Sequence, residues 1–435
     1  MLSEFKKHIT LNFPFLLESK LLIAISGGID SIVLTHLCYK TGLNIALAHC
    51  NFNLRGKESN EDEQFIVDLA NSLDMEVFVQ SFDTKTYVEE NNLSVQVAAR
   101  ELRYDWFNEL SEALEYNYIL TAHQADDNLE TFLINLSRGT GIEGLTGIPP
   151  INQKIIRPLL PFSRENIINY ANENKLKWRD DSSNNETKYL RNKLRHQVIP
   201  KLKEINPVLL SNFQTTINHL KGTSEILDKH INQLKSELFI YEGDVIKISV
   251  NQLQKLNPQK DYLYEIFKDF GFTEWNDVQS LLTSSSGKQI LSSTYRLIKH
   301  HEYLLISKHY DNTENDIFTI EKDEQCVLNP IPLSFTDVDH ISEVNNQTIY
   351  IDKKKLNFPL IVRKRKEGDY FYPFGMKGKK KLSKFFKDEK YSLLDKENQW
   401  LLCSNDQIVW VIGKRADNRF KITEATSESI KIKAY

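Results

Sequence analysis

With 435 residues the chain is longer than one ordinary hydrophobic core can organise, so two or three domains are expected. A content of 40% hydrophobic and 26% charged residues excludes disorder. No apolar run approaches the roughly 20 residues of a membrane-spanning helix, and Met1 to Lys20 mixes charge with Phe and Leu instead of forming a signal peptide, so a cytoplasmic protein is expected.

The predicted elements of the first half alternate. Leu21 to Ser26 (LLIAIS) reads as a buried strand, followed by a helical stretch from Asp30 to Tyr39. Asn44 to Cys50 is a second strand and Lys57 to Leu73 a helix, with Phe65, Ile66, Leu69, Ala70 and Leu73 at three- and four-residue spacing. Glu76 to Gln80 is a third strand, Val95 to Tyr116 a long helix, Tyr118 to Ala122 a fourth strand, and Ala125 to Arg138 a helix. Such alternation predicts parallel strands with right-handed crossovers, a doubly wound α/β domain.

From Pro161 to Lys235 the pattern is mostly helical, with breaks at Pro200 and Pro207. Asp244 to Val250 reads as a strand, Gln252 to Leu282 as two or three short helices, and Gln289 to Ile306 as strands. Residues 311–350 are acidic and Asn-rich, a linker or irregular edge strands. Strands at Pro359 to Arg365, Gln407 to Ile412 and Ser429 to Lys433 frame a basic stretch. The domains expected are thus 1–205, 206–310, the acidic 311–350, and a basic 351–435.

Net charge is −4, but Ile351 to Lys390 carries 14 Lys/Arg against 5 Asp/Glu, a local +9 that leaves −13 for the remainder. Arg363-Lys364-Arg365-Lys366 and Lys377 to Lys390 are interleaved with Tyr370, Phe371, Tyr372, Phe374, Phe385 and Phe386. Cations mixed with aromatics suit RNA, although some of the rings must belong to a core.

The sharpest signal is Ser26-Gly27-Gly28-Ile29-Asp30-Ser31, directly after a strand and opening a helix. Two glycines admit positive φ and leave no Cβ in the way of a phosphate, and the N–H groups of a helix start point at an anion. Asp30 is not attracted to phosphate itself, so a Mg²⁺ bridge is its natural role. This string resembles the PP-loop of the ATP pyrophosphatase superfamily, which implies a Rossmann-like sheet and cleavage of ATP between its α and β phosphates. No Walker A string occurs. Gly139-Thr140-Gly141-Ile142-Glu143-Gly144 matches the dinucleotide fingerprint but follows a helix, so it reads as a loop over the site.

Four further strings accompany the loop. His49-Cys50-Asn51-Phe52-Asn53-Leu54-Arg55 ends the second strand, at the sheet edge where ligands bind. Ala98-Ala99-Arg100-Glu101-Leu102-Arg103-Tyr104 sets Arg100 and Arg103 on one helix face. His123-Gln124-Ala125-Asp126-Asp127-Asn128-Leu129-Glu130 puts two carboxylates, Asp127 and Glu130, on one face of a helix start, fit for a metal or for ammonium groups. Asp180-Asp181-Ser182-Ser183-Asn184, then Tyr189 to His196, is a polar loop entering a basic helix.

In this order and spacing the strings resemble the tRNA(Ile)-lysidine synthase family, tightly over roughly the first 200 residues and loosely behind them. The resemblance implies ATP and Mg²⁺ as cofactors, free L-lysine and an isoleucine tRNA with a CAU anticodon as partners, and no membrane; a homodimer is left open. It implies that Ser26, Gly27, Gly28, Ile29, Asp30 and Ser31 bind the phosphates, with Asp30 on the metal. Ala24 and Asn51 would lie near the adenosine, and Arg103 and Arg195 would contact ATP or the developing charge, Arg195 alternatively taking lysine's carboxylate. Asp127 and Glu130 would hold lysine's ammonium groups and His123 would orient the base. A PP-loop tRNA thiolase and a small-molecule adenylating ligase are the rivals. The four cysteines form no CxxC pair, and nothing resembles a glutaminase domain.

Overall fold

Strands that are apolar on both faces need helices above and below them, and the first half of the chain supplies both layers. The computed structural model describes residues 1–179, 190–309, 317–341, 345–376 and 378–435. Two units emerge, Met1–Lys229 and His230–Tyr435.

Unit one begins with α1 (Leu2–Asn12), β1 (Lys20–Ala24), α2 (Ile29–Thr41), β2 (Asn44–Asn51), α3 (Lys57–Ser72) and β3 (Val77–Ser81). It continues with α4 (Thr84–Asn91), α5 (Val95–Ala113), β4 (Tyr118–Leu120), α6 (Ala125–Arg138) and α7 (Ile142–Leu145). A hairpin of β5 (Ile151–Asn152) and β6 (Ile155–Ile156) and then α8 (Arg164–Glu173) follow. The sheet order is β3-β2-β1-β4-β6-β5. All neighbours are parallel except the β5–β6 pair. Period-two alternation along β1 divides the core. Leu21 and Ile23 pack with Phe5, Leu34 and Ile167 from α1, α2 and α8, while Leu22 packs with Ala46, Ile119 and Phe107 of α5 on the opposite face.

The strand order runs outward in both directions from β1, so the crevice at the carboxyl ends of β1 and β4 is the switch point of the sheet. Gly147 fixes the connection after α7. It sits at φ +75°, a Cβ there would lie 2.3 Å from Asn128 Oδ1, and that oxygen accepts the Ile148 N–H at 2.6 Å. The glycine-rich string before Gly147 is stapled to α6 as well, with Asn135 donating to Gly144 O at 2.8 Å.

Asp180 to Asn184 and Tyr189 lie outside the described residues, and after them come α9 (Leu190–Lys193), a π-turn (Leu194–Val198), α10 (Ile199–Ile205) and α11 (Leu209–Leu238). The division between the units falls within α11.

Unit two opens with β7 (Phe239–Glu242), β8 (Val245–Ser249), α12 (Val250–Gln254), α13 (Gln259–Phe267) and α14 (Trp275–Leu281). With β9 (Gln289–Leu291), β10 (Tyr295–His300) and β11 (Tyr303–Lys308) they form an antiparallel sheet ordered β7-β8-β11-β10-β9, closed over Leu263, Phe267 and Leu297. The described part of 311–350 contains turns and four strands: β12 (Ile317–Ile320), β13 (Cys326–Val327), β14 (Leu333–Val338) and the start of β15 (Thr348–Asp352). β12 edges one sheet, while β14 lies inside another. These sheets pack around a fully buried Trp410. Among the described residues no helix is long and apolar enough to cross a membrane.

Candidate active site

The segment between β1 and α2 is shaped for an anion. Gly27 has φ +82°, a left-handed conformation that L side chains adopt only under strain. Gly28 is the N-cap of α2 and offers no side chain, so the first N–H groups of the helix, from Ile29, Asp30 and Ser31, face the crevice uncapped. The Ile29 side chain itself belongs to the core. Ser31 Oγ donates to Gly28 O at 2.9 Å and receives the Ser26 N–H at 3.3 Å, which closes the loop on itself.

Asp30 stands at the mouth of this loop. Its Oδ2 lies 3.5 Å from Arg164 Nη1, and its Oδ1 is buried without a hydrogen-bond partner. Burial, and next the charge of Asp127, push its carboxyl up to about 6 against the pull of Arg164 and Arg195. An orphaned, hard oxygen beside a phosphate cradle fits a Mg²⁺ ion that completes its shell with substrate oxygens and water.

The start of α6 carries the second cluster. Gln124 caps the helix by accepting from the Asp126 N–H at 2.8 Å, and Asp127 Oδ2 accepts the Gln124 N–H at 3.1 Å. Asp127 and Glu130, three apart, share a face as the spacing predicts, and Arg195 from the π-turn enters between them. Its Nη2 donates to Asp127 Oδ1 at 2.8 Å, and its Nε and Nη2 fork onto Glu130 at 2.6 and 3.0 Å. Arg191 adds a contact to Glu130 at 3.4 Å. Glu130 is fully buried. Burial pushes its carboxyl up, with the Arg195 fork opposing, while the two carboxylates hold the Arg195 guanidinium above its ordinary value against burial.

His123 follows β4 and shares a 3.0 Å hydrogen bond with Thr121 Oγ1. Burial pushes its imidazole down to about 4, with Asp127 opposing and Arg157, Arg191 and Arg100 reinforcing, so it is neutral at physiological pH.

Other residues singled out in the sequence are placed around this centre. Ala24 ends β1 and Asn51 ends β2. Asn51 is spent on the loop: its amide donates to Glu63 at 2.7 Å and its carbonyl accepts from the Asn53 N–H at 3.0 Å. Arg103 lies over the Phe52 ring at 5.3 Å, and Arg100 over Tyr104 at 4.8 Å.

Several residues escaped the sequence reading. Asp62 pairs with Arg55 at 2.9 Å and with Arg179, whose N–H donates to Gly27 O at 3.0 Å, so a distant segment locks the phosphate loop. Asp126 holds Lys203 and the Arg164 N–H. Arg157, just after β6, is only 5% exposed. Asp62 and Asp126 stand among other acids in the sequence, and their distant partners lie 38 residues away for Arg164 and 117 for Arg179.

The basic stretch of unit two is corrected at one position. Arg363 is buried and forked onto Asp369 by two 2.8 Å bonds, so it holds a turn and is withdrawn from any polyanion. Phe371, Phe385 and Phe386 form a core. Tyr370 and Tyr372 remain accessible, with Lys379 over Tyr370 at 3.4 Å and Arg419 over Tyr372 at 4.7 Å. Lys377 lies outside the described residues.

A phosphate loop at the switch point of this sheet, with a metal-competent aspartate on its helix, defines the PP-loop class of ATP-using enzymes. Sequence comparison agrees, since residues 1–202 match a family model described as a PP-loop domain. Residues 241–309 match a TilS substrate binding domain and 360–432 a TilS substrate C-terminal domain. The chain is 42% identical over 415 residues to the tRNA(Ile)-lysidine synthase of Parabacteroides distasonis, covering 94% of each. It is 38% identical over 427 residues to that of Bacteroides thetaiotaomicron, covering 98% of this chain and 97% of the relative. With that of Porphyromonas gingivalis it shares 34% over 424 residues, 93% and 91%. The chain belongs to the tRNA(Ile)-lysidine synthase family.

Proposed function

We propose that this chain joins free L-lysine to C2 of the wobble cytidine in a CAU-anticodon isoleucine tRNA, consuming ATP with Mg²⁺ and releasing AMP and pyrophosphate. The observation that carries the reading is the uncapped start of α2, with the unpartnered Asp30 oxygen beside it, facing the Asp127–Glu130–Arg195 cluster across one crevice. The names of the curated relatives support it.

The chemistry follows from what each group offers. C2 of cytosine is a poor electrophile until its oxygen is converted into a leaving group. That oxygen attacks the α-phosphorus held at the Ser26–Ser31 loop, and pyrophosphate departs. Mg²⁺ on Asp30 and the phosphates would offset the charge on the departing pyrophosphate. The neutral ε-amine of lysine then attacks C2, the C2–O bond breaks as AMP leaves with the oxygen, and the proton shed by the nitrogen passes to solvent. Neutral His123, held by Thr121, orients the base. Asp127 and Glu130 receive lysine's ammonium charge as Arg195 turns from them toward the phosphates beside Asp30. The anticodon loop is single-stranded, so extruding the cytidine costs little.

The test is incorporation of labelled lysine into an isoleucine tRNA transcript with a CAU anticodon, against a methionine tRNA transcript and an Asp30→Ala enzyme. Label confined to the isoleucine tRNA and to the intact enzyme supports the reading. Pyrophosphate release without label would move the nucleophile away from lysine.

A further inference from the structure

β4 and β6 are parallel neighbours with Leu120 opposite Ile156, and the Thr121 N–H donates to Ile156 O at 3.0 Å. His123 and Arg157 therefore leave adjacent strands at the same edge of the sheet, the edge that holds the crevice. Arg157 is 5% exposed, and its partners are neutral: Nη1 donates to Pro149 O at 2.7 Å, and the guanidinium also donates to the Tyr104 hydroxyl. Its Nε has no partner, and among the described residues neither Arg157 nor Arg100 pairs with a carboxylate. Arg100 lies over the face of the same Tyr104 ring, 4.8 Å from its centroid. A buried guanidinium facing only neutral groups, with a second cation beside it, is costly unless an anion joins it.

We propose that Arg157, with Arg100 at its rim, is the subsite for the α-carboxylate of the free amino-acid substrate. The proposal rests on the function proposed above. The groups around His123 are of both signs: the charge of Asp127 acts on its ring against those of Arg157, Arg191 and Arg100, a mixture matched to a zwitterion. Arg195, the residue first considered for the carboxylate, is bound to the two acids before lysine enters and turns toward the phosphates in the proposed reaction. Burial selects the ligand class. A polynucleotide phosphate needs cations at the surface, whereas a small carboxylate can reach the unpartnered Nε of a buried guanidinium. The subsite would reject diamines and amides that carry the same nucleophilic amine.

The experiment compares lysine, lysinamide and cadaverine as nucleophiles on the isoleucine tRNA transcript with ATP, using the intact chain, Arg157→Met and Arg100→Met. The unaltered enzyme should show a KM for lysinamide and cadaverine roughly 10- to 100-fold above that for lysine, the range for a charge-assisted hydrogen bond. Arg157→Met should raise the lysine KM by that factor, leave the analogues unchanged, and spare the KM for ATP and tRNA. Arg100→Met, an exposed change that keeps the fold, should narrow the discrimination several-fold and carries the test if Arg157→Met does not fold. Discrimination that survives both substitutions overturns the assignment. So does a rise in the tRNA KM with a shallower salt dependence, which would place an RNA phosphate there. If the unaltered enzyme incorporates none of the three amines, the proposed function itself fails, and the carboxylate assignment with it.

Discussion

Arg195 and Glu130 are 65 residues apart in the chain and meet in a two-pronged fork, Nε to Oε1 at 2.6 Å and Nη2 to Oε2 at 3.0 Å, with Glu130 wholly buried. The same guanidinium reaches Asp127 at 2.8 Å, so the two carboxylates proposed for lysine are aligned before lysine arrives.

Glu130→Gln keeps the shape and removes the charge. The KM for lysine should rise roughly 10- to 100-fold while the KM for ATP stays within about twofold. Steady-state labelling at varied lysine is the measurement, and unchanged lysine kinetics would remove Glu130 from the amine site.

Asp30→Asn should trade activity for stability. The folded-state carboxyl is raised to about 6 from an ordinary 3.8, so the fold prefers the neutral form. The penalty for ionising it grows as pH rises between those values and is constant above them. Thermal melts of the ligand-free variant should therefore show a gain of about 1–3 kcal/mol at pH 8 and little gain at pH 4, while lysine incorporation is lost. A variant less stable than the parent at pH 8 contradicts this account.

His123 is depressed to about 4, so the unfolded chain takes up a proton first as pH falls from 6.5, and stability is lost on the acid side. Melts at pH 4.5 and 7 should show His123→Phe relieving about 1–3 kcal/mol of that acid loss. The pyrophosphate-release rate of the parent should show no His123 titration between about pH 6 and 8.

Gly27→Ala tests the loop without steric ambiguity, because a Cβ there meets only side-chain carbons at 3.7 Å. The cost is backbone strain of about 1–2 kcal/mol. The variant should fold, with a KM for ATP up by about tenfold as the N–H groups tilt away from the phosphates.

In unit two, Arg363→Ala and Lys379→Ala should behave oppositely. Breaking the buried Arg363–Asp369 fork should cost about 3–5 kcal/mol in a denaturant melt. Lys379→Ala should leave stability alone and reduce the salt slope of tRNA binding by about 1. Equal stability losses would mean that Lys379 is structural too.

The parallel strands, the helices between them and the phosphate loop were legible because they depend on nearest neighbours: apolar runs, three- and four-residue spacing, and glycine where φ is positive. The capping arrangement that puts Asp127 and Glu130 on one face was equally local. What the sequence alone could not say is which charge meets which. Arg363 sits in a run of cations and is buried on Asp369, whereas Arg157 has no motif and lies beside His123. Arg179 reaches Asp62 and the Gly27 carbonyl, and Arg195 reaches Glu130, only because the sheet brings its carboxyl edge, α3 and the π-turn together. A local pattern is written within a few residues. The partner of a long charged side chain depends on contacts that exist only once the chain has closed on itself.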